Sequence, residues 1–364
     1  MKKIDWYILK KFYATFFFII LLMLLIVLVI DYSEKTDDFV KAQMSFGKIM
    51  TEYYFGFIPH IVSLLFHLFV FIAVIFFTGS MASKTEVIPI LAAGVSYNRY
   101  LRPYLVGGTL LALLLWWANS SFIPHSNKKQ TDFKAKYVDP NQGGRKEAGN
   151  YYNRYLKIDS NTYAGIKQYD TTNKTAQQFF YYTVRNNRIV KNTRAQAIRW
   201  DTAVKNTWRM ENVLQRTIIK KGEQDTTQQV LNKAFNFKPD DIRYDEYVKD
   251  KLTNKELKAF ITLEQKRGSS GIEALQVELY RRDATAFAVL ILTLMGVCIA
   301  SRKVRGGIGL QLALGVVLAI AYVLFDKFSS VFAANGSLAP MLAAWLPNIV
   351  FGVVTIYLYT KAQK

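Results

Sequence analysis

The sequence predicts an α-helical membrane protein in which six transmembrane helices, arranged as three plus three, flank an inserted β-rich domain outside the membrane. Of the 364 residues, 51% are hydrophobic, and they are grouped in long blocks instead of being interleaved with polar residues. Such blocks indicate membrane spans, because a helix of about 20 apolar residues crosses a hydrocarbon core of about 30 Å. Between the third and fourth blocks the pattern changes to alternating and β-branched residues, which predicts strands.

Six apolar runs define the predicted spans. They occupy residues 12–30, 57–79, 104–123, 283–300, 308–328 and 340–359. The first run follows lysines, as in a secretory signal, but its core is too long and no small-residue cleavage site follows, so we expect it to be retained. Cys298 is the single cysteine and lies in the fourth run, so no intrachain disulfide can form.

Positive charges near the span ends predict the orientation. Lysine and arginine precede the first span, follow the last, and occupy the loops between spans two and three and between spans four and five. These segments fall on one side of the membrane, which the charge bias identifies as cytoplasmic. We therefore expect spans one to three in 1–123, an outer domain in 124–271 and spans four to six in 272–364.

The outer domain reads as antiparallel strands of a sandwich or open barrel. Asn186-Asn187 predicts a hairpin turn, and Thr253-x-x-Glu256 predicts the capping box of a helix over 253–267. Residues 126–275 carry 29 Lys and Arg against 17 Asp and Glu, a net +12 of the chain's +20. One interpretation is that a translocated domain tolerates such charge without a functional reason. The other is that the charge forms a basic surface that binds lipid phosphates or an acidic polymer. No nucleic-acid-binding signature accompanies it.

Motifs for catalysis and nucleotide binding are missing from the sequence. It has no G-x-x-x-x-G-K-[ST] phosphate loop, no G-x-S-x-G elbow and no H-E-x-x-H pair, so we expect no catalytic residues, no metal site and no cofactor of its own. His60 and His67 share one face of span two, where they form either a metal or proton site or a packing contact. Asp31, Asp283 and Asp326 lie near span ends, which gives weak support for ion coupling.

Several segments along the chain together resemble one family. They are SKTEVIPILAAGVS at 83–96, TNKELKAFITLEQKRG at 253–268, VELYRR at 277–282, SRKVRGGIGLQLALGVV at 301–317 and SLAPMLAAWLPN at 337–348. These segments resemble the lipopolysaccharide-export permeases of the LptF/LptG type over nearly the whole chain. IDWYILKKF at 4–12 and YVLFDKF at 322–328, with Asp326, are more similar to the LptG subunit.

The resemblance implies a β-jellyroll-like periplasmic domain and a location in the bacterial inner membrane, with both termini cytoplasmic. It implies pairing with an LptF-type permease over a dimer of LptB-type ATPases, which would bind the ATP. Lipopolysaccharide would enter through a lateral gate between span one of one subunit and span five of the other. It would then pass through the jellyroll domains to LptC- and LptA-type proteins.

The resemblance also assigns residues to the ATPase contact. Glu86 resembles the family acid that docks in a groove of the ATPase, while Ala92, Ala93 and Gly94 allow close approach. They belong to a cytoplasmic coupling helix expected near 84–97. Pro89 departs from the family pattern and is tolerated only in the first turn, so we expect the helix to begin near Glu86. The alternative is a solvated turn with an incidental acid.

A second set of residues is assigned to the lipid. Arg282, with Arg281 beside it, matches a position where relatives carry a cation that would contact lipid phosphate, although the family proline that follows is Ala286 here. Interfacial anchoring is the alternative role for both arginines. LptG-type relatives carry lysines after span one; Asp31 replaces the first of these, and Lys35 and Lys41 are the candidates to compensate. Helical spacing places Leu310, Leu314 and Val317 on a gate-facing stripe of span five.

Other classes of function fit the sequence less well. A membrane-anchored periplasmic binding protein for an acidic ligand would need only one or two spans. An ion-coupled lipid carrier would need an acid near the bilayer midplane and an inverted repeat, neither of which the sequence shows. A membrane enzyme acting on lipid would need a nucleophile with its base, or a metal cluster.

Overall fold

The computed structural model of the chain describes residues 3–41, 45–133, 150–159, 161–170, 173–186, 188–201, 207–219, 222–242, 248–267, 271–302 and 307–362. These residues form two compact units. The membrane unit comprises the chain up to Gln130, Asp250–Leu257 and the chain from Glu273 onward. The sheet unit comprises Thr131–Lys249 and Lys258–Ile272.

The described helices follow one another along the chain with bounds that extend past the apolar runs. They are α1 (Lys3–Lys41), α2 (Phe46–Lys48), α3 (Phe55–Ser83), α4 (Val87–Ala92), α5 (Tyr97–Trp117), α6 (Ile123–Phe133), α7 (Pro239–Ile242), α8 (Val248–Lys251), α9 (Asn254–Arg267), α10 (Ile272–Ala300), α11 (Gly307–Ala334) and α12 (Pro340–Lys361). Two π-helical turns, Ile49–Tyr54 and Ala118–Phe122, connect α2 to α3 and α5 to α6.

Six helical segments are long and apolar enough to cross a membrane, which confirms the predicted spans. They are Lys3–Val40, Phe46–Ser83, Tyr97–Phe133, Ile272–Ala300, Gly307–Ala334 and Pro340–Lys361. These segments are longer than the predicted runs because backbone hydrogen bonding continues into polar sequence, whereas hydropathy marks only the part suited to hydrocarbon. Pro340 lies in the first turn of α12, where its missing N–H removes no helical hydrogen bond.

The six spans differ in how much of their surface is buried against protein. The apolar parts of Phe46–Ser83 and Ile272–Ala300 are 56% and 61% buried, against 11% for Lys3–Val40 and 22% for Gly307–Ala334. Small residues bring the inner helices together, as at Gly296, where an added Cβ would lie 3.0 Å from Val74. We call α3 and α10 the inner helices and α1 and α11 the outer helices.

The sheet unit holds six antiparallel strands in the sequential order β1 to β6. They are β1 (Asn150–Asp159), β2 (Thr162–Asp170), β3 (Thr175–Arg185), β4 (Arg188–Asp201), β5 (Thr207–Ile219) and β6 (Gly222–Ala234). This inserted sheet is consistent with the predicted jellyroll-like domain. No described residue of β6 is buried, and its polar sequence therefore lacks the alternation that predicts a strand.

One face of the sheet carries the core of the unit. Its buried side chains include Ile166, Phe179, Ile198 and Met210, and they pack with residues of the segment after β6. Trp208 belongs to this core and donates a hydrogen bond from Nε1 to the carbonyl oxygen of Phe237 at 3.1 Å. The core therefore fixes which face of each strand is exposed.

Two predicted local signals are confirmed. Asn186 separates β3 from β4 and has a positive φ of 49°, as a tight hairpin turn requires. Before α9, the backbone N–H of Thr253 donates to Glu256 Oε2 at 2.9 Å, while the backbone N–H of Glu256 donates to Thr253 Oγ1 at 3.4 Å. This reciprocal pair is the predicted capping box, and its main effect on Glu256 is that the Thr253 N–H lowers the pKa of the carboxyl.

Candidate functional site

The first candidate site is the short helix α4, which joins the second and third spans. It begins at Val87, directly after Glu86, as the position of Pro89 predicts. Pro89 occupies the first turn, where no intrahelical donor is lost. The helix ends at Ala92, and Gly94 adopts a left-handed φ of 79°, which suits glycine and reverses the chain before α5. Within the predicted 84–97 segment, the short helix therefore covers Val87–Ala92.

Helix α4 has a buried anchor and an exposed surface. Val87 is buried in the main core of the membrane unit, whereas Ile88 is exposed. Ala92, Ala93 and Gly94 are also exposed, and a Cβ added to Gly94 would meet nothing within 4 Å. We call Ile88, Ala92, Ala93 and Gly94 the α4 surface. Because Ala92, Ala93 and Gly94 are small, another polypeptide can approach the backbone closely at this end of the surface.

Glu86 is held by α1 instead of projecting freely from the chain. Tyr7 donates a hydrogen bond from Oη to Glu86 Oε2 at 2.9 Å, and Lys11 Nζ donates to the same oxygen at 3.1 Å. Desolvation acts to raise the pKa of the Glu86 carboxyl, but the bonds from Tyr7 and Lys11 outweigh it and lower the pKa. The carboxylate is therefore charged near neutral pH and joins α4 to the first span.

A second polar contact joins the same end of α1 to α5. Arg99 donates two hydrogen bonds to Asp5, at 2.9 Å to Oδ1 and 2.7 Å to Oδ2. Such paired bonds fix orientation as well as distance. The N-terminal part of α1 is thus bound to the elements on both sides of the α4 surface. Sequence reasoning missed both contacts, because their partners lie 75 or more positions apart.

The second candidate site surrounds Arg281 and Arg282 on α10, and the structure gives these neighbours different environments. Arg282 is 6% exposed and donates to the carbonyl oxygen of Leu252 at 2.9 Å and to Asn254 Oδ1 at 2.8 Å. Arg281 is 27% exposed and pairs with Glu278 at 2.7 Å and with Asp326 of α11 at 3.9 Å. Arg282 therefore binds the chain before α9, while Arg281 links an inner helix to an outer one.

Both arginines line a cavity of about 150 Å³ within the membrane unit. Polar residues in its lining include His60, Asn119, Glu278 and Asp326. His67 also lines it, and its ring centroid lies 5.3 Å from that of Tyr322. This tilted ring contact agrees with a packing role for His67. The described residues contain no group of three or more His, Cys, Asp or Glu placed to hold a metal ion.

The structure describes the side chain of only one of the two cations predicted after span one. Lys35 donates hydrogen bonds to Asp31 and, at 2.6 Å, to Tyr53 Oη. Its charge is therefore matched by the acid that the sequence places four residues earlier. Lys41 is the last residue of α1, and its side chain lies outside the described part of the structure. A phosphate contact by either lysine stays a prediction.

The predicted gate residues share one exposed face of α11. Leu310, Leu314 and Val317 are all exposed. The opposite face packs on α3: Gln311 and Gly315 are buried, and a Cβ added to Gly315 would lie 2.4 Å from Ile75. The close glycine contact holds α11 against the inner helix, so the stripe points away from it.

Comparison with known protein families identifies the chain. The model of the lipopolysaccharide export system permease family LptF/LptG matches residues 6–361. The chain belongs to this family. No match was found among curated proteins. The LptF/LptG match spans all six helices and the inserted sheet, and it confirms the predicted family without deciding between the LptF and LptG subunits.

Membership in the LptF/LptG family establishes a multi-pass membrane protein that acts as a permease for lipopolysaccharide export. It also places the chain within an Lpt export complex. The roles of Glu86, the α4 surface, Arg281, Arg282 and the α11 stripe are not tested by the family match and stay predictions.

Proposed function

We propose that the chain is a transmembrane subunit, of the LptG type, in an ATP-driven exporter that extracts lipopolysaccharide from the bacterial inner membrane. An LptB-type ATPase dimer would bind and hydrolyse the ATP on the cytoplasmic side, where both termini lie. An LptF-type permease would complete the lipid path. The periplasmic sheet would pass the lipid to LptC- and LptA-type proteins. The observation that carries this proposal is the exposed α4 surface held on α1.

The energy of ATP hydrolysis would enter through helix α4. The ATPase would contact the α4 surface, whose small residues permit close approach, and it would reach Glu86, whose side chain is 31% exposed. A movement of α4 would then be transmitted to α1, because Glu86 is bound to Tyr7 and Lys11. Because the pair is partly exposed, its contribution is less than about 1 kcal/mol, so these contacts suit coupling between elements more than they stabilise the fold.

Each of the outer helices α1 and α11 would form one side of a lateral gate, whose other side would be span five or span one of the paralogous permease. Their apolar surfaces are the least buried of the described spans, which leaves them available to the paralogous permease and to lipid. The α11 stripe of Leu310, Leu314 and Val317 would face the opening. Since lipid tails are as apolar as leucine, such a contact can form and break in the membrane without a large hydrophobic penalty.

Arg281 would contact a phosphate of the lipid as it enters. It is the more accessible of the two arginines, and its pairing with Asp326 over 3.9 Å is long for an ion pair. A phosphate offers shorter, charge-assisted bonds to a guanidinium. Exchange of Asp326 for phosphate would release α11 from α10, which would link lipid entry to movement of the outer helix. Arg282 would hold the chain before α9 in place.

The coupling role is tested by a blocking substitution and a charge exchange. We expect Ala93→Trp to reduce copurification with the ATPase and ATP-dependent export about tenfold or more, because the bulky ring prevents close approach. Thermal unfolding should be unchanged, since Ala93 is exposed. Leu105→Trp, at an exposed position on α5, is the control and should leave both properties unaltered.

The charge exchange separates transmission from direct recognition. Glu86→Lys and Lys11→Glu should each uncouple ATP hydrolysis from export, and the double variant should restore coupling if the carboxylate acts through α1. If the ATPase instead binds Glu86 directly, the double variant will stay uncoupled, because position 86 then lacks its acid. Export from vesicles without any ATPase would refute the proposed function.

A further inference from the structure

The exposed face of the sheet contains an open groove with a volume of about 660 Å³. It lies on strands β1 to β5, within the sheet unit, and its lining reaches Ile166, Phe179 and Ala195 of the core. Aromatic rings, amides and cations line it together with the aliphatic side chains of Ile166, Ala195 and Leu214. No carboxylate is among the lining residues in the described part of the chain. The groove is distinct from the cavity around Arg281, which lies in the membrane unit.

An irregular row across the sheet shapes one side of the groove. The row consists of one residue from each of the strands β2 to β5, namely Lys167, Gln178, Gln196 and Asn212. Strand pairing is interrupted at these residues and continues in register on both sides of them. Gln178 and Asn212 have positive φ values of 51° and 48°, which are strained for residues other than glycine. Buried residues are three positions apart across the row instead of two, as at Ala195 and Ile198.

This interruption places several amides beside one another on the exposed face. The Asn212 side chain donates to Gln196 Oε1 at 2.6 Å, and Gln178 is exposed next to them. Asn192 also lines the groove, and its Oδ1 is buried without a hydrogen-bond partner. An unpaired buried acceptor is unfavourable unless a ligand or water supplies a donor. The row therefore offers both donors and acceptors to a polar ligand.

Aromatic rings form a platform on the other side of the groove. Phe180 lies over Gly165, where an added Cβ would lie 2.3 Å from the ring, so the glycine lets the ring lie close to the strand. The rings of Phe180 and Tyr182 are nearly parallel, with centroids 6.4 Å apart and an interplanar angle of 11°. Tyr155 meets Phe180 edge-on at 6.4 Å and is 68% exposed. The platform thus presents apolar ring surface to solvent.

The cations Lys167 and Arg194 complete the lining, and both are exposed. A ligand for this groove must match apolar ring faces, amide donors and acceptors, and positive charge at once. A sugar ring has an apolar C–H face and hydroxyls that both donate and accept, and a phosphate or carboxylate on it would pair with a guanidinium. An acyl chain would leave the amides and cations without partners.

We propose that this groove binds the acidic saccharide part of the exported lipid after the lipid leaves the membrane. The inference rests on the proposed export function, which brings such a lipid to the sheet unit. The aromatic platform would hold a sugar ring, the amide row would bind its hydroxyls, and Arg194 with Lys167 would pair with its acidic groups. The groove would therefore select the headgroup by chemistry that is independent of the acyl chains.

The test uses the full chain in nanodiscs, without ATPase or paralogue. The probe is lipopolysaccharide from which the acyl chains have been removed, and binding is measured by calorimetry and by saturation-transfer NMR. We expect the wild type to bind this probe and not an uncharged dextran oligosaccharide. Combining Tyr155→Ala with Arg194→Gln should weaken binding about tenfold or more, since ring and charge contacts are both lost.

Arg209→Gln is the matched control, because Arg209 is an exposed cation on β5 beyond the irregular row. It should change the affinity less than twofold. Circular dichroism would verify that the sheet of each variant is folded. If Tyr155→Ala disturbs the sheet, Arg194→Gln alone still tests the proposal. Absence of binding by the wild type, or equal loss in Arg209→Gln, would overturn the inference. Binding needs no ATP, so normal ATP-dependent export without saccharide binding would refute this inference and leave the export proposal intact.

Discussion

The inner and outer helices of the membrane unit share the same apolar composition but are buried to very different extents. More than half of the apolar part of α3 and α10 is buried, against 11% for α1 and 22% for α11. Helix α3 contacts both outer helices, so it serves as their common support. In a bilayer, exposed leucine and phenylalanine carry no penalty, so composition alone cannot separate a fixed helix from one available to a partner.

Small residues fit closely on the inner helices and, on outer helix α11, along the one face that packs on α3. An added methyl group would meet backbone at 2.6 Å at Gly56 and would be tightly packed against Val74, at 3.0 Å, at Gly296. On α11, Gly315 makes such a contact with α3, while Gly309 meets nothing within 4 Å. Close packing therefore marks the inner scaffold, and the outer helices touch it along one face only. The following predictions test this division.

The largest effect is expected from alanine at Gly56, on inner helix α3. A Cβ there would lie 2.6 Å from the backbone carbonyl oxygen of Ser126, which cannot move as a side chain can. We expect Gly56→Ala to lower the free energy of unfolding by about 1–3 kcal/mol, measured by thermal unfolding in detergent. Gly309→Ala, on outer helix α11, should be neutral or stabilising by up to about 1 kcal/mol. Equal losses at both positions would contradict the division.

The two arginines of α10 should respond differently to glutamine. Arg282→Gln removes charged hydrogen bonds to Leu252 and Asn254, so the free energy of unfolding should fall by about 1.5–3 kcal/mol. Arg281→Gln should lower it by less than Arg282→Gln does, because Arg281 bonds to Glu278 one turn away on its own helix and reaches Asp326 only at 3.9 Å.

Lipid crosslinking supplies the second measurement for this pair. Photocrosslinking to lipid phosphate should fall in Arg281→Gln, whereas Arg282→Gln should retain it in the fraction that stays folded. If lipid crosslinking is lost only in Arg282→Gln, the roles assigned to the two arginines are reversed.

The α11 stripe should affect export without affecting stability. Replacing Leu310, Leu314 and Val317 together by alanine should reduce export by about tenfold, while the free energy of unfolding shifts by no more than about 0.5 kcal/mol per residue. The matched control replaces Ile349, Val353 and Ile356, which are exposed on α12 at the same spacing. A comparable loss of export in this control would show that any exposed apolar stripe serves equally.

Sequence patterns predicted the parts of this fold that depend on local chemistry. The six spans follow from runs of apolar residues, and the turn at Asn186 and the capping box at Thr253 follow from residue types at fixed spacing. The polar contacts that bind α1 to α4 and α5 could not be predicted, since nothing in the sequence pairs Lys11 with Glu86 across 75 positions.

The groove on the sheet was missed for a related reason. Alternation along each strand predicts which residues face the core, but the irregular row changes that alternation at the same place in neighbouring strands. Only the register of the strands shows that Gln178, Gln196 and Asn212 lie side by side. The basic composition of this domain left an anionic partner as one of two interpretations, and it could not locate the cations that line a groove.

The smallest predicted effect concerns pH and the contact between α4 and outer helix α1. Hydrogen bonds from Tyr7 and Lys11 lower the pKa of Glu86 in the folded chain, against the desolvation that would raise it. The stabilisation is therefore fully present above the unfolded pKa of about 4.3 and is lost as the pH falls through the lower folded value. We expect hydrogen exchange of the α4 amides to be unchanged from pH 8 to 5, after correction for the intrinsic rate, and to increase below about pH 4.

The variant Glu86→Gln supplies the reference for this measurement. It should show faster exchange in α4 at all pH values and no further increase below pH 4, because the amide cannot titrate. The difference from the wild type should correspond to less than about 1 kcal/mol, as is usual for a partly exposed ion pair. If the variant retains the same increase at low pH, another acid controls the attachment of α4, and Glu86 does not transmit force to the first span.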